Sequence, residues 1–311
     1  MKNTGRVNFE KHRALLKDKL QQLMPETGDY PSAVKGLALY RRHGATDPKP
    51  VMYKPVIVVI FQGGKYVRIG ADEYIYGQSS YFVAGVDMPA SSAMLDSSPG
   101  KPFLSLALDL DKSLIAQIAA EVPPAPAKPG PARGAMVAAI DCELLDAFLR
   151  LLELLEKPEQ ISLLSPLIIK EIHYRLLAGP FGRRLRDICT QGTADNQISR
   201  AVGWLRDNFD QALSVDELAR QANMAVSTFH KHFKEITALS PLQYQKRLRL
   251  EEARRLMLSL DYDASRASQT VGYESLPQFT REYKRLFGDP PRRDVIRMKG
   301  ALDRFGETAV P

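Results

Sequence analysis

The sequence predicts an α+β protein built in two parts: a small antiparallel β-barrel or jelly roll with flanking helices, followed by an all-α domain with two helix-turn-helix units. Three observations predict it. Short runs rich in β-branched and aromatic residues crowd the early chain. Between Ser214 and Arg293 one plan occurs twice: a short helix, a tight turn, then a helix with polar side chains outward. A Pro-led stretch long enough for a continuous helix joins the two copies. A chain of 311 residues has the length for two cores.

The N-terminal part opens with an amphipathic helix over residues 7–24, in which Phe9, Leu16, Leu20 and Leu23 share a side. The segments GLALYRR, PVIVVIFQG, KYVRIG, EYIYG, SSYFVAGV and PFLSLALDL then read as strands, separated by turn residues as in QGGK and GADE. A closed barrel of such strands is either filled by side chains or lined by them around one small ligand. Lys35, Arg41, Arg42, Tyr53, Lys54, Gln62 and Tyr81 are polar side chains available to touch a ligand, and equally fit solvated strand ends.

After the strands DKSLIAQIAAEV is helical, and PPAPAKPGPAR is a stiff Pro-rich loop. LLDAFLRLLELL and SPLIIKEIHYRLLAGP supply two more helices. Leu144, Leu145, Phe148, Leu151, Leu152 and Leu155 give the first a wide apolar face, which suits pairing between two subunits or packing onto the chain's own barrel. TQGTADN, polar and without periodicity, marks the exit from this part. The expected divisions are residues 1–190, a linker over 191–196, a helical domain over 197–297 and a tail over 298–311.

In the first repeated unit, Ser214 and Glu217 have capping-box spacing, so a helix begins there. Leu218 and Ala222 give it a buried side, and the chain turns at Asn223 and Met224. The next helix runs from about Val226 to Glu235. Phe229 and Phe233 face inward, whereas Ser227, His230 and Lys231 fall on another face that is small, polar and basic. The second unit has caps at Asp263 and Ser275, a turn at Gly272 and a helix over Leu276 to Phe287. Leu276, Phe279, Tyr283 and Leu286 are expected inward, and Pro277, Gln278 and Arg281 point elsewhere, with Lys284 and Arg285 behind them.

Between the units, Ser240 caps PLQYQKRLRLEEARRLMLSL and Pro241 takes the first helical position. At 1.5 Å per residue that helix spans roughly 30 Å, close to the ~34 Å turn of B-DNA. Outward faces of this kind fit a major groove, where Lys or Arg donates to guanine O6 and N7.

These residues also carry a resemblance. LSVDELARQANMAVSTFHKHFKE, SPLQYQKRLRLEEARRLM and VGYESLPQFTREYKRLFGDPP closely resemble the C-terminal DNA-binding domain of AraC/XylS-type transcription regulators. The resemblance implies that Ser227, His230 and Lys231 are base-facing positions of the first recognition helix, and Pro277, Gln278 and Arg281 those of the second. VMYKPVIVVIFQGGKYVRIGADEYIYG, SYFVAGVDMP and LSLALDLD resemble the cupin-like, effector-sensing N-terminal domain of one AraC-type subfamily. By that resemblance residues 1–190 bind an effector and dimerise, and 197–297 bind promoter DNA. Three departures stand out. Ala225 replaces a frequent hydroxyl cap; Ala264, Ala267 and Ser268 stand where Ile, Ile and Ala are common; Asp294 and Val295 replace a frequent Tyr-Arg. They point to a weaker or more sequence-tolerant second unit.

The net charge is +7, and the excess of Lys and Arg is denser from residue 197 onward, as phosphate neutralisation requires. MKNTGRVNFEKHR lacks the apolar stretch of a signal peptide, and no apolar run approaches the ~18 residues of a membrane span. A cytoplasmic protein without membrane association is expected. Cys142 and Cys189 form no disulfide framework or metal knuckle; a buried thiol is the ordinary reading of Cys142, and a redox or electrophile sensor the other. No histidine lies between His43 and His173, so the strands lack a metal-ligand set, and no cofactor or catalytic residue is expected. The reading is a sequence-specific transcription regulator, most simply an activator, with double-stranded promoter DNA, a small-molecule effector, RNA polymerase and a second copy of itself as partners. A cupin-type enzyme with a basic accessory domain is the alternative, and a non-specific chromatin-like binder a third.

Overall fold

The computed structural model describes residues 2–44, 46–98, 100–123 and 133–305. The chain begins with helix α1 (Lys2–Leu23) and continues through nine strands: β1 (Gly28–Pro31), β2 (Leu37–Arg42), β3 (Lys49–Tyr53), β4 (Val56–Gln62), β5 (Gly64–Ile69), β6 (Asp72–Gly77), β7 (Ser80–Ala84), β8 (Met88–Leu95) and β9 (Phe103–Asp109). Helix α2 (Lys112–Glu121), strand β10 (Ala135–Ala139) and helices α3 (Cys142–Glu153), α4 (Pro158–Ala178) and α5 (Gly182–Cys189) complete the N-terminal part. Most of the expected Pro-rich loop lies outside the described residues.

The strands form two antiparallel sheets, one in the order β1-β2-β9-β4-β7-β10 and the other β3-β8-β5-β6. Strand β4, VIVVIFQ, is buried along its whole length, which is why its apolar run shows no alternation. Strands β1, β3, β8 and β10 lie outside the expected set. Their sequences, GDYP, KPVMY, MPASSAML and AMVAA, are poor in β-branched residues, and pairing with better strands holds them extended.

Helix α1 lies against β4 and β9 of the larger sheet and against α3. Leu16, Leu20 and Met24, along and just beyond α1, are fully buried, and Phe9 and Leu23 pack beside them. The wide apolar face of α3 is consumed internally: Leu144, Leu145, Phe148, Leu151 and Leu152 are all buried in the chain's own core. On α4 Leu163 is 73% exposed and Leu167 63%, with Tyr174 exposed further along; Leu15 of α1 and Ile75 of β6 are exposed as well.

The helical part follows as α6 (Ala194–Asp207), α7 (Val215–Gln221), α8 (Val226–Thr237), α9 (Pro241–Ser259), α10 (Ala264–Thr270), α11 (Leu276–Phe287) and α12 (Pro291–Phe305). Helix α6 starts inside the segment 191–196 expected as a linker, capped by Thr193, whose hydroxyl accepts from the Asn196 amide at 3.1 Å. Helix α12 runs into the expected tail, of which residues 306–311 lie outside the described residues. One apolar core runs from Leu16 through the sheets and α3–α5 to Phe229 and Phe233 of the first helix-turn-helix unit and Leu248 of α9. The second unit has a core of its own, from Leu250 to Phe287. Among the described residues no helix is long and apolar enough to cross a membrane.

Candidate DNA-binding surface

Each helix of the first unit is set by local chemistry. The Ser214 hydroxyl accepts from the Glu217 amide at 3.2 Å and starts α7. Asn223, at φ 50°, makes the left-handed step of the turn, which Asn tolerates better than most residues. Helix α8 starts at Ala225 without any side-chain cap. Phe229 and Phe233 are fully buried, 5.7 Å apart ring to ring, and Phe233 meets the Tyr244 ring at 5.5 Å. Ser227, His230 and Lys231 are exposed on the opposite side.

Helix α9 opens with a complete capping box between Ser240 and Gln243, with Pro241 at the first helical position. Its Arg249 donates to the Phe209 carbonyl at 2.7 Å, the Gln211 carbonyl at 2.9 Å and the Gly272 carbonyl at 2.7 Å, tying the segment before α7 to the turn of the second unit. Gly272 has φ +82°, and a Cβ there would collide with the Asp210 carbonyl oxygen, so this turn demands glycine.

Asp263 caps α10 and Ser275 caps α11, as their sequence positions imply. Phe279 and Tyr283 are fully buried, while Pro277, Gln278 and Arg281 are exposed. Leu276 is a correction: it is 40% exposed, because a first-turn residue beside the cap overhangs the end of the core. Gln278, Arg281, Glu282 and Arg285 line a recess of about 390 Å³. Burial disfavours ionisation of Glu282, yet bonds from Lys246 (2.7 Å), Tyr273 (2.8 Å) and Gln278 (3.3 Å) hold its carboxyl below the usual range. Glu282, half-buried and paired with Lys246, thus lies beside the exposed Arg281 and Arg285.

The expectation that Asp294 marks a weakened second unit is not supported by its surroundings. Its carboxylate, fully buried, pairs with Arg254 at 2.9 Å and Arg297 at 2.6 Å and accepts from the Tyr283 hydroxyl at 2.9 Å. It fastens α9, α11 and α12 together. Ala267 and Ser268 are both buried where α10 packs against α9 and α11.

The barrel holds the first unit directly. Arg133, next to β10, pairs with Asp72 and donates to the Lys234 carbonyl at 2.8 Å and the Glu235 carbonyl at 3.2 Å. The Gly134 amide donates to the Ile236 carbonyl at 3.1 Å. The Glu235 and Ile236 carbonyls in the last turn of α8, where intrahelical donors run out, are therefore met by the N-terminal part, and Arg133 adds a second donor to the Lys234 carbonyl, which already accepts from the Ala238 amide. The Tyr244 hydroxyl donates to the Asp87 carbonyl at 3.1 Å, Arg206 faces the buried Asp87 carboxylate at 3.4 Å, and Arg247 donates to the Ala90 carbonyl at 3.2 Å. No feature of local sequence pattern signals these long-range contacts.

The side chains expected to touch a ligand scatter. Arg41 donates to the Met24 and Pro25 carbonyls, Arg42 pairs with Asp29, and Gln62 donates to the Pro102 carbonyl at 2.7 Å. Tyr81 is buried, which pushes its phenol up to about 12. Lys35 and Lys54 are exposed; Tyr53 alone points between the two sheets, against Phe82 at 4.9 Å. Burial pushes the Cys189 thiol up to about 12, and burial with Glu143 and Asp141 raises that of Cys142, so neither favours the reactive thiolate. Among the described residues no three His, Cys, Asp or Glu side chains converge as a metal site.

Comparison with known proteins follows this division. Residues 33–184 match the family described as AraC-type transcriptional regulator N-terminus, and residues 218–294 match a helix-turn-helix domain. Among curated proteins the chain is similar to the HTH-type transcriptional activator RhaS of Escherichia fergusonii, 31% identical over 98 residues, which is 32% of this chain and 35% of that protein. RhaS of Salmonella arizonae is 28% identical over 119 residues, 38% of this chain and 42% of that protein. The chain thus spans less than half the length of these relatives. Among solved structures, wild-type ToxT from Vibrio cholerae strain SCE256, with unsaturated fatty acid bound, superposes with a TM-score of 0.56 at 10% identity, covering 84% of this chain and 94% of that one. Another Vibrio cholerae ToxT structure gives 0.54 at 9% identity, covering 84% and 98%. At such identities the likeness is one of fold. Matched in order by a regulator N-terminus and a helix-turn-helix domain over most of its length, the chain belongs to the AraC-type transcriptional regulators.

Proposed function

We propose that the protein is a sequence-specific DNA-binding transcription regulator, acting as an activator and controlled by a small-molecule effector held in residues 1–190. The observation that carries this reading is the paired exposure of Ser227, His230 and Lys231 on α8 and of Pro277, Gln278 and Arg281 on α11, each over a buried aromatic row. Residues 197–297 supply the DNA-binding part, with Lys231 and Arg281 as the base-edge donors. The RhaS relatives are activators by name, and the fatty acid seen on ToxT supports a small organic effector for this fold. RNA polymerase is the partner an activator addresses, and the cytoplasm the compartment in which it meets DNA. A second copy of the chain would pair through the exposed Leu163, Leu167 and Tyr174 face of α4. No enzymatic step is assigned.

Binding of fluorescent DNA from upstream of the protein's own gene, in competition with random DNA at fixed salt, tests the reading. A preference of at least about 10³-fold for one tract is expected. Equal competition by random DNA contradicts it.

A further inference from the structure

The space between the two sheets holds a polar and aromatic cluster that DNA binding leaves unused. Tyr53, Tyr74 and Tyr76 surround Phe82, their ring centroids 4.9, 6.3 and 5.7 Å from it. Strand register sets Lys65 opposite both Tyr76 and Met94, so all three share the inward face. The Lys65 ammonium lies 5.2 Å from the centroid of the Tyr53 ring. Ser92 is on the same face, its Oγ 3.5 Å from the Tyr53 hydroxyl.

Tyr76 is the side chain that calls for a ligand. It is only 3% exposed, and its hydroxyl is buried without a hydrogen-bond partner. Burial and the neighbouring Tyr53 hold its phenol well above the ordinary value, so the group is an O–H donor. Native folds rarely strand such a donor, and a buried water or a ligand is what ordinarily meets one. The charge nearby is unspent as well. Among the described residues Lys65 has no carboxylate within ion-pair distance, while Asp29 on the facing sheet is already tied to Arg42. Lys65, Ser92 and Met94 are half-buried, so the cluster is not wholly sealed from solvent.

We propose that Tyr53, Lys65, Tyr76 and Ser92 form a binding site for a small organic carboxylate. Its oxygens accept from the Tyr76 hydroxyl and the Lys65 ammonium, and its apolar body lies against the Tyr53 and Phe82 rings. A single cation in apolar surroundings matches one negative charge; a phosphate dianion would leave a charge buried without a partner. The inference rests on the regulator reading only in naming this ligand the effector.

The test is thermal melting of the full chain with formate, acetate, hexanoate and benzoate against chloride at equal ionic strength, with hexanamide and benzamide as neutral matches. At least one carboxylate raises Tm saturably, its amide does not, and the rise disappears in Lys65→Gln and Tyr76→Phe. Without ligand, Tyr76→Phe melts at or above the parent temperature, since it removes only a stranded hydroxyl. The site is overturned if no carboxylate gives a saturable rise, or if the rise survives both substitutions. It is equally overturned if Tyr76→Phe alone melts well below the parent, which would assign the hydroxyl an internal water. The same preparations are assayed for DNA preference: intact preference with no carboxylate response removes this site and leaves the regulator, whereas lost preference in the parent chain removes the regulator reading.

Discussion

Arg254 and Asp294 form an ion pair, Nε to Oδ2 at 2.9 Å, where α9, α11 and α12 meet, and Asp294 has no exposure to solvent. The Arg254 guanidinium also lies 4.4 Å from the centroid of the Phe287 ring. The second helix-turn-helix unit has a small core that includes Ala253 and Ala267, with Ser268 buried beside it. Its stability therefore leans on this polar staple.

Replacing Asp294 by Ala leaves the Arg254 charge buried without its partner and should cost about 3–5 kcal/mol in the second unit. Hydrogen exchange should accelerate in α11 and α12 and stay unchanged in β4 and β9. Equal acceleration throughout the chain would show that the two cores do not behave separately.

Arg281→Ala should weaken specific DNA binding by about 1–3 kcal/mol and relax preference at one base pair, if its guanidinium grips a guanine edge. Lys231→Ala should do the same at a different base pair. A binding-site profile unchanged by Arg281→Ala assigns that side chain to phosphate or solvent.

Arg133→Ala removes the bonds from the barrel side to the Lys234 and Glu235 carbonyls. A loss of about 1.5–3 kcal/mol is expected, as for bonds made by charged donors. Amide exchange at Gly134 and in the last turn of α8 should quicken. Protection identical to the parent would mean that this contact does not hold the first unit.

His173 is buried, which lowers its pKa; its Nδ1 lies 2.7 Å from the Ile169 carbonyl, and its Nε2 accepts from the Asp111 amide at 3.0 Å. The folded protein thus favours the neutral ring, whereas the unfolded chain protonates near the ordinary value of about 6.5. Its stabilisation is complete above that value and is lost as pH falls through the lowered folded pKa. Melting temperature between pH 7.5 and about pH 5 should fall less steeply in His173→Gln than in the parent. An unchanged slope would show that this ring does not set the acid sensitivity.

Elements whose signals are local were legible in the sequence. The caps at Ser214, Ser240, Asp263 and Ser275, the Gly272 turn and the span of α11 all depend on residues within a few positions of one another. What was not legible depends on neighbours far along the chain. By pattern Asp294 is a departure from the family, because its partner Arg254 lies 40 positions away. The α3 leucines suit a second subunit equally well by pattern, and only the packing of α1 and α4 over them decides the matter. Lys65 and Tyr76 gave no signal, since only strand register shows that both face inward.

The central claim is that α8 and α11, joined by the α9 rod, read successive major-groove segments of one duplex. Dimethyl sulfate interference on a site selected from random DNA tests it most directly. The account predicts two clusters of guanine contacts about 10 base pairs apart on one face of the helix, one lost with Lys231→Ala and the other with Arg281→Ala. A single cluster, or two that both survive these substitutions, would contradict it.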